Sequence, residues 1–140
     1  MAIASVRAGL HYYLSSNAPL TALVGTRIYA ERLPDEVSMP ALLYTQVSGT
    51  PEQAFSGLTG AVEGRFQFDI YAAAEAQETV EQIREALMNL TTGYQSLTLG
   101  NGDTFELLNM APFDYGRYLP DPDTQGLRYT IDFIVMFGRS

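Results

Sequence analysis

Two stretches of this 140-residue chain alternate apolar and polar residues with a period of two, and they decide what it can fold into. In residues 65–71, Phe66, Phe68 and Ile70 share one face, while Arg65, Gln67 and Asp69 share the other. In residues 128–137, Tyr129, Ile131, Phe133, Val135 and Phe137 share one face. Successive side chains of a strand point to opposite sides, so both patterns predict half-buried strands. An apolar sheet face has to be covered, and two helical stripes are available to cover it. Val80, Ile83, Leu87 and Leu90 form one in residues 74–90, with Glu78, Glu81 and Glu85 on the far side. Ile3, Val6, Leu10 and either Tyr13 or Leu14 form the other in residues 2–15.

The remaining elements are shorter. Asn17 predicts the N-cap of a second helix reaching Val24, with Pro19 in its first turn and Gly25 as its stop. Residues 27–30 and 41–48 read as strands. Gly49, Pro51, Gly57, Gly60 and Gly64 punctuate a long loop or hairpin tip over residues 49–64. Asn101-Gly102 predicts a tight hairpin between strands at 97–99 and 104–108. Residues 113–119 read as a further strand and residues 120–126 as a turn. The expected fold is α+β: a single, mostly antiparallel (mixed) sheet with two main helices packed on one face. A chain of this length buries about two-thirds of its unfolded surface, enough for one core, so residues 1–140 are expected to form one domain.

Charge and cysteine content exclude several functions. The net charge is −8, from 16 acids against 8 bases. All the bases are arginines, scattered singly from Arg7 to Arg139. Phosphate-gripping surfaces need clustered cations, so neither sequence-specific nucleic-acid binding nor an anionic membrane surface is expected. The chain has no cysteine, which removes disulfides, thiolate metal sites and Cys nucleophiles. No apolar run approaches a membrane span, and the N-terminus makes a poor signal peptide, so an intracellular product is expected.

No constellation assembles into a site. His11 is the only histidine and lies in the first helix beside Tyr12 and Tyr13, a setting for packing rather than for general-base or metal chemistry. Ser56 is flanked by Ala54 and Leu58, not by the glycines of a nucleophile elbow. The glycines at 49, 57, 60 and 64 lack the lysine of a phosphate-binding loop. Asp121, Asp123, Gly126 and Asp132 fit positions one, three, six and twelve of a calcium loop. Gln125 spoils position five, however, and Asp132 lies in an alternating strand. Glu75, Glu78, Glu81 and Glu85 form a row opposite an apolar stripe, as solvated helix faces do. No active site, metal or cofactor is expected.

The runs APLTALVGTRIY (18–29), MPALLYTQVSGTP (39–51) and FQFDIY (66–71), followed by the Ala-rich helix and the closing RYTIDFIVMF, resemble the bacteriophage tail completion proteins. These are the head–tail joining or tail terminator proteins of long-tailed phages and prophages. The resemblance implies a non-enzymatic assembly protein. In that role six copies form a ring that ends the tail tube and faces the head connector. Its partners are further copies of itself, the tail tube protein and the head connector protein. A free subunit can stay monomeric until the tail tip or tube raises its effective concentration. The implied location is the bacterial cytoplasm during assembly and then the virion tail. For such a ring, neutral stretches supply the candidate subunit interface: Gly49, Thr50, Phe55 and Leu58 in one, Phe113 and Tyr115 in the other. A small-ligand binding module, a carboxylate-using enzyme and a contractile injection system component stay open as alternatives.

Overall fold

The computed structural model describes residues 5–51, 61–90, 95–120 and 126–138. These form a mixed α+β fold. The helices are α1 (Val6–Ser15), α2 (Ala18–Val24) and α3 (Gln77–Met88). The strands are β1 (Ile28–Ala30), β2 (Ala41–Pro51), β3 (Ala61–Ala72), β4 (Gln95–Thr98), β5 (Thr104–Pro112), β6 (Arg117–Leu119) and β7 (Leu127–Gly138).

The helix starts follow from their caps. Ser5 accepts a hydrogen bond from the Ala8 amide, and the Asn17 side chain accepts one from Leu20 at 3.0 Å. Gly25 stops α2 at φ +60°, where a β-carbon would be strained. α3 begins at Gln77 rather than at 74: Ala76 has no capping side chain, and the preceding residues form a turn.

The sheet runs β1-β2-β3-β7-β5-β4, and β6 also pairs with β7. β3 occupies one whole edge of β7. On the other edge β5 pairs with Phe133–Phe137 and β6 with Arg128–Thr130, so the two lie end to end. All pairs are antiparallel except β1 with β2. β3 and β7 set their apolar faces in register, Phe66 opposite Phe133 and Phe68 opposite Ile131. The Phe68 ring meets Phe133 edge-on at 5.1 Å and lies 6.0 Å from Tyr44. One buried cluster joins this face to Leu10 and Leu14 of α1 and to Val80, Ile83 and Leu87 of α3. The two side-chain periods read from the sequence therefore meet in the core.

Two expectations are corrected. The loop expected over residues 49–64 is shorter, because both strands run into it: Gly49 pairs with Gly64, Thr50 with Glu63 and Pro51 with Val62. Ladder bonds are made by backbone, and glycine supplies that backbone as well as any residue. Residues 52–60 lie outside the described residues. The hairpin at Asn101-Gly102 forms where expected, with the Leu99 amide donating to the Asp103 carbonyl at its base. Only Gly102 has positive φ (+91°), while the Asn101 side chain accepts a hydrogen bond from the Asp103 amide. Of the strand expected at 113–119 only residues 117–119 join a ladder with β7; residues 113–116 form a bend held beside it.

Candidate functional site

Two of the singled-out polar residues, His11 and Asp132, are tied up in the fold. His11 Nδ1 lies 3.2 Å from the Tyr44 hydroxyl, which itself donates to the Arg7 carbonyl at 3.3 Å. The histidine therefore helps hold α1 on β2. Burial pushes the Tyr44 phenol up to about 12, against a smaller lowering by Arg7. Asp132, the last position of the calcium spacing, accepts two hydrogen bonds from Arg65, at 2.9 Å from Nε and 2.5 Å from Nη2. Asp121 and Asp123 lie outside the described residues. Glu78, Glu81 and Glu85 are exposed on α3, and Glu75 is exposed in the turn before it. No three acids or histidines converge on a metal position among the described residues.

The second face of the sheet carries charge where the sequence pattern suggested solvent. Asp69 is only 1 % exposed. It accepts from Gln67 Nε2 at 3.1 Å and from Arg128 Nε at 3.3 Å. Burial of a carboxylate needs such partners, and only the β3–β7 register brings Arg128 to it. The period of two has no signal for this.

Among the described residues, three of the four large apolar side chains left exposed are aromatic. Phe113 is 56 %, Tyr115 83 % and Tyr118 40 % exposed. Their segment is nonetheless held tightly. The Phe113 ring stacks under the Arg65 guanidinium at 4.2 Å, and the Phe113 amide donates to the Asp132 carbonyl at 2.7 Å. The Tyr129 hydroxyl donates to the Tyr115 carbonyl at 2.5 Å, and Tyr118 meets the Tyr129 ring edge-on at 4.9 Å. Burial also raises the Tyr129 phenol above its ordinary value. Gly116 closes the bend at φ +83°; a β-carbon there would stand 2.7 Å from the Thr130 carbonyl oxygen.

A second open feature lies at the other side of the sheet. Val47 is the extra residue of a bulge between Gln46 and Ser48 and is 53 % exposed. It lines a cleft of about 540 Å³ with Arg7, Glu31, Tyr44, Gln46 and Phe66. Glu31 takes a positive φ of +70°, and its carboxylate accepts from the Gln46 amide at 3.0 Å.

Of the residues expected at an interface, Phe113 and Tyr115 are thus exposed side by side. Gly49 and Thr50 lie in β2, and Phe55 and Leu58 fall outside the described residues. The sequence reading did not single out Val47 or Tyr118. The bulge that exposes Val47 leaves no mark in composition.

Among the described residues, three helices and a mixed sheet carry an aromatic segment clamped beside the last strand. Residues 8–138 match the family model described as tail completion protein gp17, and the chain belongs to that family. Among solved structures, a chain from the virion of a native gene transfer agent particle superposes with a TM-score of 0.68 at 15 % identity. The match covers 95 % of this chain and 94 % of that one, and it shows a shared fold. No curated protein matches the sequence.

Proposed function

We propose that this protein is a non-enzymatic assembly factor that closes as a ring at the head-proximal end of a phage-type tail tube, ends its growth and joins it to the head connector. The observation that carries the reading is membership of the tail completion family over residues 8–138. The surface supports it, since Phe113, Tyr115 and Tyr118 stand exposed in one segment beside β7. The fold supports it as well. We read α1 and α3 as lying on one face of the sheet, with Gly9 of α1 against Phe105 of β5. That leaves strand edges and the aromatic segment for neighbours. The partners are further copies of the chain, most simply six, together with the tube and connector proteins. Assembly takes place in the host cytoplasm and the product resides in the virion tail. No helix among the described residues is long and apolar enough to cross a membrane.

The test is deletion of the gene from its phage or prophage, followed by electron microscopy of the particles. Unjoined heads with tails of abnormal length are expected. Normal infectious virions would refute the proposal.

A further inference from the structure

We infer that copies of this chain join head to tail by inserting the Tyr115 side chain of one copy into the Arg7–Glu31–Val47 cleft of the next. This rests on the assembly reading above and names the surfaces that meet.

The donor side is preorganised. Tyr115 is 83 % exposed, yet its carbonyl is held by the Tyr129 hydroxyl and the next residue is a glycine packed against β7. A side chain presented on a fixed backbone binds with little ordering cost. Exposed tyrosine on a rigid loop is a frequent anchor of interfaces, because it buries a large ring and keeps a polar tip.

The acceptor side matches a phenol in chemistry. Tyr44, Val47 and Phe66 give the cleft apolar walls, while Arg7, Glu31 and Gln46 place hydrogen-bonding groups around it. Its volume of about 540 Å³ has room for one aromatic ring. The flanking charges are complementary. Asp114 and Arg117 bracket Tyr115 and are exposed; Arg7 and Glu31 bracket the cleft and are exposed too. Asp114 with Arg7 and Arg117 with Glu31 give two opposite-sign pairs in one docking.

A subunit cannot fill its own cleft. Tyr115 is tied to Tyr129, which aligns through Ile70 with Leu42. The cleft residue Gln46 lies four positions further along β2, and β2 is two strands from β7. The separation is about 13 Å along the strands and about 10 Å across them, beyond the reach of one tyrosine. Two different patches on opposite parts of one sheet make a heterologous contact, which propagates or closes into a ring.

The experiment places p-benzoylphenylalanine at position 115, which keeps an aromatic ring there. An equal mixture of isotopically heavy and light protein is irradiated at concentrations up to about 1 mM, where even a millimolar contact is half-formed. Heavy–light cross-links from position 115 to residues 44–47 are expected, and Val47→Arg should abolish them. In parallel, Tyr115→Ala should weaken self-association measured by sedimentation at least tenfold, with its circular dichroism unchanged. Cross-links from 115 to the partner's own 113–118 segment would overturn the proposal. So would cross-links confined to one chain, none at all, or unaltered self-association of Tyr115→Ala. In each of these cases the tail-assembly reading keeps its own test, the morphology of particles lacking the gene.

Discussion

The Phe105 ring occupies the space where a β-carbon on Gly9 would stand, with its nearest atom 2.2 Å from that position. Only a glycine in the middle of α1 lets the helix come down onto β5. Both residues are buried, and Phe105 also stacks on Phe137 at 6.2 Å. Helix interiors disfavour glycine by about 1 kcal/mol relative to alanine, so its presence here marks a packing requirement. Gly9→Ala should therefore destabilise despite the better helix propensity, by about 1–3 kcal/mol. Urea unfolding measures it. A gain in stability would mean that the ring moves aside freely.

The Asp69–Arg128 pair should respond asymmetrically. The Asp69 side chain is 2 % exposed and that of Arg128 29 %. Arg128→Met leaves a buried carboxylate with only Gln67 for company and should cost about 3 kcal/mol. Asp69→Asn leaves a guanidinium that still reaches water and lies 5.7 Å from the Tyr71 ring, and should cost about 1–2 kcal/mol. Chemical denaturation of both variants checks the order, and equal losses would refute the argument.

Thr130 stands opposite Asp69 in the ladder, and its buried hydroxyl has no hydrogen-bond partner among the described residues. Thr130→Val keeps the shape and removes the unmet hydroxyl. It should be neutral or stabilise by about 1 kcal/mol. A loss above about 1 kcal/mol in the same assay would show that the hydroxyl is bonded in solution.

What the sequence disclosed and what it hid divide along physical lines. β3, β7 and α3 were legible because Phe66, Phe68 and Ile70, the 129–137 row and the Val80–Leu87 stripe each repeat one side-chain period. The cap at Asn17 was legible because its chemistry is local. β1 is only three residues long, and nothing local states that its pairing with β2 is parallel. Gly49, Pro51 and Gly64 read as loop because such residues usually break structure, yet backbone pairing carries β2 and β3 through them. Asp69 looked solvated because its partner Arg128 is distant in sequence and near only through register. At the candidate site, Phe113 and Tyr115 were visible as large side chains in a weakly charged stretch. The clamp that fixes them is not visible in sequence, since it is made by Arg65, Tyr129 and Asp132 from other strands.

Tyr44 should make the protein sensitive to alkali. Its phenol titrates near 10 in the unfolded chain and is pushed up to about 12 in the fold, chiefly by burial. The folded state then holds the proton more tightly, so the contribution is complete below pH 10. It falls away as pH rises from 10 toward 12. Two pH units at 1.36 kcal/mol each set an upper bound, and a loss of about 1–2 kcal/mol is expected. Tyr44→Phe should flatten this part of the stability–pH curve, and the phenolate absorbance of the wild type should include one late-titrating tyrosine. An unchanged slope in Tyr44→Phe would assign the effect elsewhere.

Gly116 ties the stability of the aromatic segment to its exposure. At φ +83° any side chain is strained, and a β-carbon would meet Tyr129 Cε1 at 2.5 Å, the Thr130 carbonyl oxygen at 2.7 Å and Ile131 Cβ at 2.9 Å. The tyrosine ring could turn away, but the Thr130 oxygen belongs to the backbone of β7 and cannot. Gly116→Ala should cost about 2–3 kcal/mol. Much of that cost should appear locally, because β6 is held to β7 over only three residue pairs. Amide exchange is therefore expected to speed up at residues 116–119 and 128–130, while Phe66 and Phe68 in the middle of the sheet stay protected. Tyr115 loses its fixed position with the bend, so self-association should weaken along with the local protection. Unchanged exchange at residues 116–119 in Gly116→Ala would show that the bend is not what holds the aromatic segment in place.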